Sequence, residues 1–197
     1  MKRAVNLAFL GDALDPWKGS LFESLQQSSV LRDFAVDPMA SDWSAWRPED
    51  VLLFTRLLRI DKSQLIPHNV CLASRQQYFG EIEHTGDLFL DPDTGIATGK
   101  GNIKHVRPAE IALLLRDSDR LLAVYQHGAR GKTSHRVDEV CRVLNGAIAD
   151  CKWSSYESGT VAMVFLSRSH ERVAKVTAHF RHLLGRHAAG RIQTNTG

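Results

Sequence analysis

The feature that most restricts what this 197-residue chain folds into is a series of short apolar runs that are continuous rather than alternating. They lie at residues 4–10, 34–36, 70–73, 88–90, 121–125 and 161–166. A strand with one wet face alternates apolar and polar residues, whereas a continuous run belongs to a strand covered on both faces. Between the runs the period changes. Val137, Val140, Cys141, Leu144 and Ile148 fall at i, i+3, i+4, i+7 and i+11, one stripe of a helix, and Val173, Val176, Phe180, Leu183 and Leu184 repeat the pattern further on. Pro48 and Pro108 stand where a first helical turn accepts proline, each with acidic residues close behind. Strand and helix in alternation imply βα units: an α/β fold with a mostly parallel sheet and helices on both faces, in a single domain over residues 1–197.

Composition excludes several classes. With 43% hydrophobic and 24% charged residues the chain is globular rather than disordered. The first apolar run is cut by Gly11 and Asp12 sooner than a signal peptide requires, and no stretch approaches the roughly 20 apolar residues of a membrane span. Cys71, Cys141 and Cys151 are widely spaced without a C-x-x-C pair, the pattern of ordinary thiols in a reducing compartment. A cytoplasmic protein without a membrane segment is expected. Net charge is only +3, yet residues 160–197 carry Arg168, Arg172, Lys175, Arg181, Arg186 and Arg191 against the single acid Glu171. Such a basic tail helix suits a nucleic-acid partner, RNA or DNA, although a solvated helix face has the same composition.

In open α/β sheets ligands bind beyond the carboxyl ends of the strands, so the loops there rank first. Leu88-Phe89-Leu90 runs into Asp91-Pro92-Asp93-Thr94-Gly95, where Pro92 fixes its own φ and holds Asp91 extended. The segment reads as a rigid acidic tip or as a simple β-turn. Gly95, Gly99 and Gly101 follow, with Lys100 and Lys104 able to approach an anion, but without the Walker spacing. Asp12, Asp15 and Lys18 recur every three residues and would share a face to orient a polar ligand; equally, Asp15 caps the helix that Pro16 begins. Gln126, His127, Arg130 and Lys132 emerge after the run at 121–125, suited to a base edge, proton transfer and phosphate contacts. A lone His after a strand also reads as structural.

These segments carry a resemblance. Gly11-Asp12-x-x-Asp15-x-x-Lys18, Phe89-Leu90-Asp91-Pro92-Asp93-x-Gly95-Ile96, Lys104-His105-Val106 leading to Glu110-Ile111, and Tyr125-Gln126-His127 followed by Arg130 resemble, in that order, a family of uncharacterised bacterial proteins. More remotely, Asp91-Pro92-Asp93 is similar to the Asp-Pro-Pro-Tyr signature of Rossmann-like methyltransferases that modify exocyclic amines of bases. Residues 12–18 resemble the Ala-Asp-x-x-Lys-His segment of those that modify adenine in large-subunit ribosomal RNA. The resemblance implies a methyltransferase-type domain acting on nucleic acid with S-adenosylmethionine. Asp91 would hold the amine with Asp93 and His127 beside it, Asp12, Asp15 and Lys18 would hold the cofactor, and Lys100, Lys104, Gln126 and Arg130 the substrate.

The chain departs from that signature with Asp93 where the second proline stands, Thr94 where the aromatic stands, and no G-x-G-x-G loop after an early strand. Those departures motivate an alternative, a non-catalytic nucleic-acid-binding or assembly module on the same fold. Asp91-x-Asp93 is also similar to the Asp-x-Asp start of haloacid-dehalogenase-type phosphatases, though in reversed order relative to Gly11-Asp12-x-x-Asp15. A metal-dependent nuclease would gather Asp91, Asp93 and Glu81 or Glu83 around Mg²⁺, with Lys100 beside the scissile phosphate.

Overall fold

The computed structural model describes Leu7 and residues 9–70, 74–116, 119–128 and 132–196. In chain order its elements are α1 (Leu14–Gln27), β1 (Ala35–Asp37), α2 (Pro48–Leu58), α3 (Arg75–Gly80), β2 (Leu88–Leu90), β3 (Gly95–Ile96), β4 (His105–Val106), α4 (Pro108–Leu114), β5 (Leu122–His127), α5 (Thr133–Ala147), β6 (Lys152–Ser158), β7 (Val161–Ser167), α6 (His170–Leu184) and β8 (Ile192–Thr194). The main sheet has the order β1-β2-β5-β7-β6-β8, and β3 and β4 form a separate parallel pair. β1, β2 and β5 are parallel, while β7 is antiparallel to both β5 and β6, and β8 to β6. Four of the six strands, β1, β2, β5 and β6, therefore run one way, consistent with a Rossmann-like α/β sheet.

The continuous runs are buried on both faces. Leu88, Leu90, Leu122, Val124, Val164 and Leu166 pack on one side with Phe79, Ile111, Val137, Val140 and Leu144 from α3, α4 and α5. The residues between them, Phe89, Ala123, Tyr125, Met163 and Phe165, pack on the other side with Phe22, Leu25, Phe54, Leu58, Val176 and Phe180 from α1, α2 and α6. Alternate side chains of a strand point to opposite faces, so an unbroken apolar run supplies both layers. Each fully buried side chain of this size contributes about 1.5–3 kcal/mol.

Local signals account for the helix ends. α2 and α4 open at Pro48 and Pro108, and Asp50 and Glu110 accept the Arg47 and Arg107 amides at 3.0 and 2.8 Å. Ser169 caps α6 by accepting the Arg172 amide at 3.4 Å.

Some expected elements differ. Phe9 and Leu10, the described end of the first apolar run, form a turn in which the Asp12 amide donates to the Phe9 carbonyl at 3.0 Å. Most of the 70–73 run, with Cys71, lies outside the described residues; Val70 is buried but in no strand. β6 and β8 escaped the apolar criterion because Ser154, Ser155 and Gln193 interrupt them, yet both Ser154 and Ser155 are buried. Cys141 and Cys151 are buried free thiols, both pushed above their ordinary range chiefly by burial. No described helix is long and apolar enough to cross a membrane.

The basic tail is not one continuous stripe. Arg172 is 2% exposed; it pairs with Asp87 and donates to the Val30 carbonyl at 3.0 Å, so it joins α6 to the core instead of facing a partner. Lys175 pairs with Glu171 at 2.7 Å. Arg168 stands at the foot of α6, whereas Arg181 and Arg186 stand near its carboxyl end.

Candidate functional site

β1 and β2 end in the same way: Val36-Asp37-Pro38 and Leu90-Asp91-Pro92. Their parallel register puts the two aspartates side by side, and the Asp91 amide donates to the Asp37 carbonyl at 3.0 Å. α1, packed over this end of the sheet, contributes the cation. Lys18 Nζ donates to Asp91 Oδ2 at 2.8 Å and to Asp15 Oδ1 at 3.2 Å, and lies 4.6 Å from the centre of the Tyr125 ring. Burial pushes Lys18 down, but Asp91 and Asp15 together outweigh it and leave the ammonium above its ordinary range. One cation cannot neutralise two carboxylates, and burial leaves Asp91 above its ordinary range despite Lys18.

Around this group lies a cleft of about 150 Å³. Asp12, Asp15, Lys18, Asp91, Asp93 and His127 line it, so segments distant in the chain converge on one rim. Its apolar walls are Phe9, Phe54, Trp46 and Tyr125, with Phe9 61% exposed. Two of the lining residues hold a polar atom buried without a hydrogen-bond partner among the described residues: the acceptor Asp93 Oδ2 and the donor Trp46 Nε1. The Asp93 side chain is 8% exposed, and its Oδ2 forms an ion pair with Lys104 Nζ at 3.8 Å. Burial pushes Asp93 up to about 6.

The residues expected to hold S-adenosylmethionine are spent within the protein. Asp12 accepts the Leu14 amide at 2.8 Å, Asp15 accepts the Gly11 amide at 2.9 Å, and Lys18 joins Asp15 to Asp91. Cofactors in such sheets sit where strand order reverses, yet among the described residues β1 is the sheet edge. The metal-centre arrangement is not assembled: among the described residues no group of three or more His, Cys, Asp or Glu could hold an ion. Glu81 and Glu83 line a different groove, beside α3.

Other expected residues divide. Gln126 is fully buried; its amide accepts from Ile96 N at 2.8 Å and donates to the His127 and Thr94 carbonyls at 2.9 and 3.3 Å. It therefore buttresses the 94–96 turn, where Gly95 has φ +112° and a Cβ would meet the Gln126 amide at 2.5 Å. Lys100 is exposed and outside the cleft lining. His127 lies on the rim, with Nδ1 3.5 Å from the Thr160 carbonyl. Arg130 lies outside the described residues.

Asp37 is the acid that sequence reasoning passed over, although it carries the same strand–Asp–Pro signal as Asp91. Its Oδ1 accepts from the Met39 amide at 2.7 Å and the Tyr78 hydroxyl at 2.8 Å, while Oδ2 is buried without a partner among the described residues. Burial pushes Asp37 up to about 7 from 3.8. The folded state therefore holds this proton more tightly than the unfolded chain, and stability falls as pH rises from about 4 to about 7. The slope from this one group reaches at most about 1.4 kcal/mol per pH unit. Urea unfolding across that window should show the decline, and Asp37→Asn should flatten it.

No family model matches the chain, and no curated protein does. Among solved structures it is similar to protein LPL1258 from Legionella pneumophila str. Philadelphia 1, of the family DUF519, at 9% identity and a TM-score of 0.43. The match covers 83% of this chain and 61% of that one, so this chain spans about three fifths of its length.

Proposed function

We propose that the cleft receives a single unpaired base, and that the chain is a nucleic-acid-binding module. The observation carrying this reading is that two residues lining an aromatic-walled cleft each hold a buried polar atom without a hydrogen bond among the described residues: Asp93 Oδ2, which has only the ion pair to Lys104 at 3.8 Å, and Trp46 Nε1. Buried polar atoms are seldom left without a partner, so a ligand supplying one donor and one acceptor would complete both. A planar heterocycle with an exocyclic amine beside a ring acceptor has those groups, and its faces match aromatic walls. Four carboxylates, Asp12, Asp15, Asp91 and Asp93, against Lys18 favour the amine-bearing edge over a phosphate.

Titration of Trp fluorescence with nucleosides tests this. Adenosine or cytidine should saturate the signal, N6,N6-dimethyladenosine, which lacks the amine donor, should bind about tenfold more weakly or less, and Asp93→Asn should remove the preference. Acceptor strength at Asp93 should also fall as pH drops below about 6. Absence of saturable binding by any nucleoside would rule the reading out.

A second reading, methyl transfer to the same amine, is favoured by Asp91 at the end of β2 in one cleft with Tyr125. It requires S-adenosylmethionine to bind; calorimetry showing no heat with the intact protein would eliminate it.

A further inference from the structure

We infer that a groove at the carboxyl end of α6 is a phosphate-binding subsite, and that the ligand is single-stranded nucleic acid whose backbone leaves the cleft across it. This rests on the base-binding reading of the cleft. The groove, about 510 Å³, is lined by Tyr156, Ser158, Leu183, Leu184, His187 and Arg191. Its position follows from the strand register. His127 at the cleft is paired with Val161 of β7, which is paired in turn with Ser158 of β6. Two strand spacings therefore separate cleft and groove, about 10 Å. That is about three nucleotides at a stacked rise of 3.4 Å.

Half-buried aromatic side chains lie between the two sites: Trp17, next to Lys18 on α1, has its ring 6.2 Å from Tyr156, which lines the groove and stacks on the buried Phe180 at 4.9 Å.

Charge in this region is one-sided. After Glu171 the chain contains no Asp or Glu. Arg172 and Lys175 are consumed by Asp87 and Glu171, but among the described residues Arg181, Arg186 and Arg191 form no ion pair. Arg191 lines the groove, where its guanidinium donates to the Glu157 carbonyl at 3.5 Å, while Arg181 and Arg186 line a second groove on the same segment. All three are exposed. Burial holds Glu157, on β6, above the ordinary carboxylate range while Arg191 opposes the shift. Cations in a last helical turn also complement the helix dipole, and that accounts for Arg181. It does not account for Arg186 and Arg191, which lie beyond the end of α6 at Leu184. A base in the cleft must be unpaired, which selects a single strand over a duplex.

Fluorescence anisotropy with a short labelled single strand tests the inference on the full chain. Contacts from Arg181, Arg186 and Arg191 to three phosphates would give log K against log salt a slope of about −2, at about −0.7 per phosphate. The double variant Arg186→Gln, Arg191→Gln should lower the magnitude of the slope to about 0.7 and weaken binding at least tenfold, leaving nucleoside binding at the cleft unchanged. A variant with the parental slope, or a duplex of the same sequence binding more tightly than the strand, overturns the subsite. The outcomes separate the two claims: strand binding that depends on these arginines without nucleoside binding would support the groove and remove the cleft reading.

Discussion

Lys18→Met is expected to destabilise the protein by about 3–5 kcal/mol, because it leaves two buried carboxylates without their shared cation. Lys18 is 6% exposed, Asp15 5% and Asp91 8%, so solvent cannot replace the ammonium without the region opening. The loss should be unequal at the two acids. Asp15 keeps the Gly11 amide at 2.9 Å, whereas Asp91 loses the one side-chain cation bonded to it among the described residues. A second change, Asp91→Leu, should therefore recover part of the loss, since replacing a buried ion pair with apolar groups costs less than breaking it. Urea midpoints of the parent, both single variants and the double variant give the coupling. Independent, additive effects would show that the short Lys18–Asp91 contact does not organise the rim. Because Lys18 is held above its ordinary range of 10.5, the stability it contributes is present below that pH and is lost only as pH rises through the raised value.

Arg172→Met should cost a comparable amount, about 3–5 kcal/mol, while native-state affinity for a single strand stays at the parental value. The guanidinium holds Asp87, which also accepts the Arg32 and Leu121 amides at 2.7 Å each. It thereby links α6, the start of β2 and the entry to β5, so its removal strands a buried charge at a junction of three elements. Arg172→Lys should restore little, because one ammonium replaces a planar group that reaches both Asp87 and the Val30 carbonyl. Full stability with lost affinity would instead mark Arg172 as a ligand contact.

The contrast between Arg172 and Arg191 shows where sequence reading stops. Both belong to the same basic stretch, and composition treats them alike. The helix phase that places Val173, Val176 and Phe180 on the core also turns Arg172 inward, but only the position of Asp87, 85 residues earlier, makes that burial favourable. Gln126 is a similar case: its place at a strand end pointed toward a ligand, and the backbone of the 94–96 turn claimed its amide instead. Asp37 could have been found, since Val36-Asp37-Pro38 repeats the pattern of Leu90-Asp91-Pro92. Trp46 could not, because its indole gains meaning only beside Asp93 and Phe54.

Periodicity by itself determined the layers: the continuous apolar runs at 34–36, 88–90, 121–125 and 161–166 became strands covered on both faces, and the i, i+3, i+4 stripes became α5 and α6. It also determined that Asp91 stands at a strand end, since the apolar run and Pro92 leave it nowhere else. Tertiary structure alone decided which charges are spent and which remain available. Pairing Lys18 with Asp15 and Asp91, burying Arg172 on Asp87 and leaving Asp93 Oδ2 and Trp46 Nε1 without a hydrogen bond among the described residues depend on distances between remote segments. Local patterns encode direction and burial, whereas the fate of a charge depends on what the rest of the chain brings within a few ångströms of it.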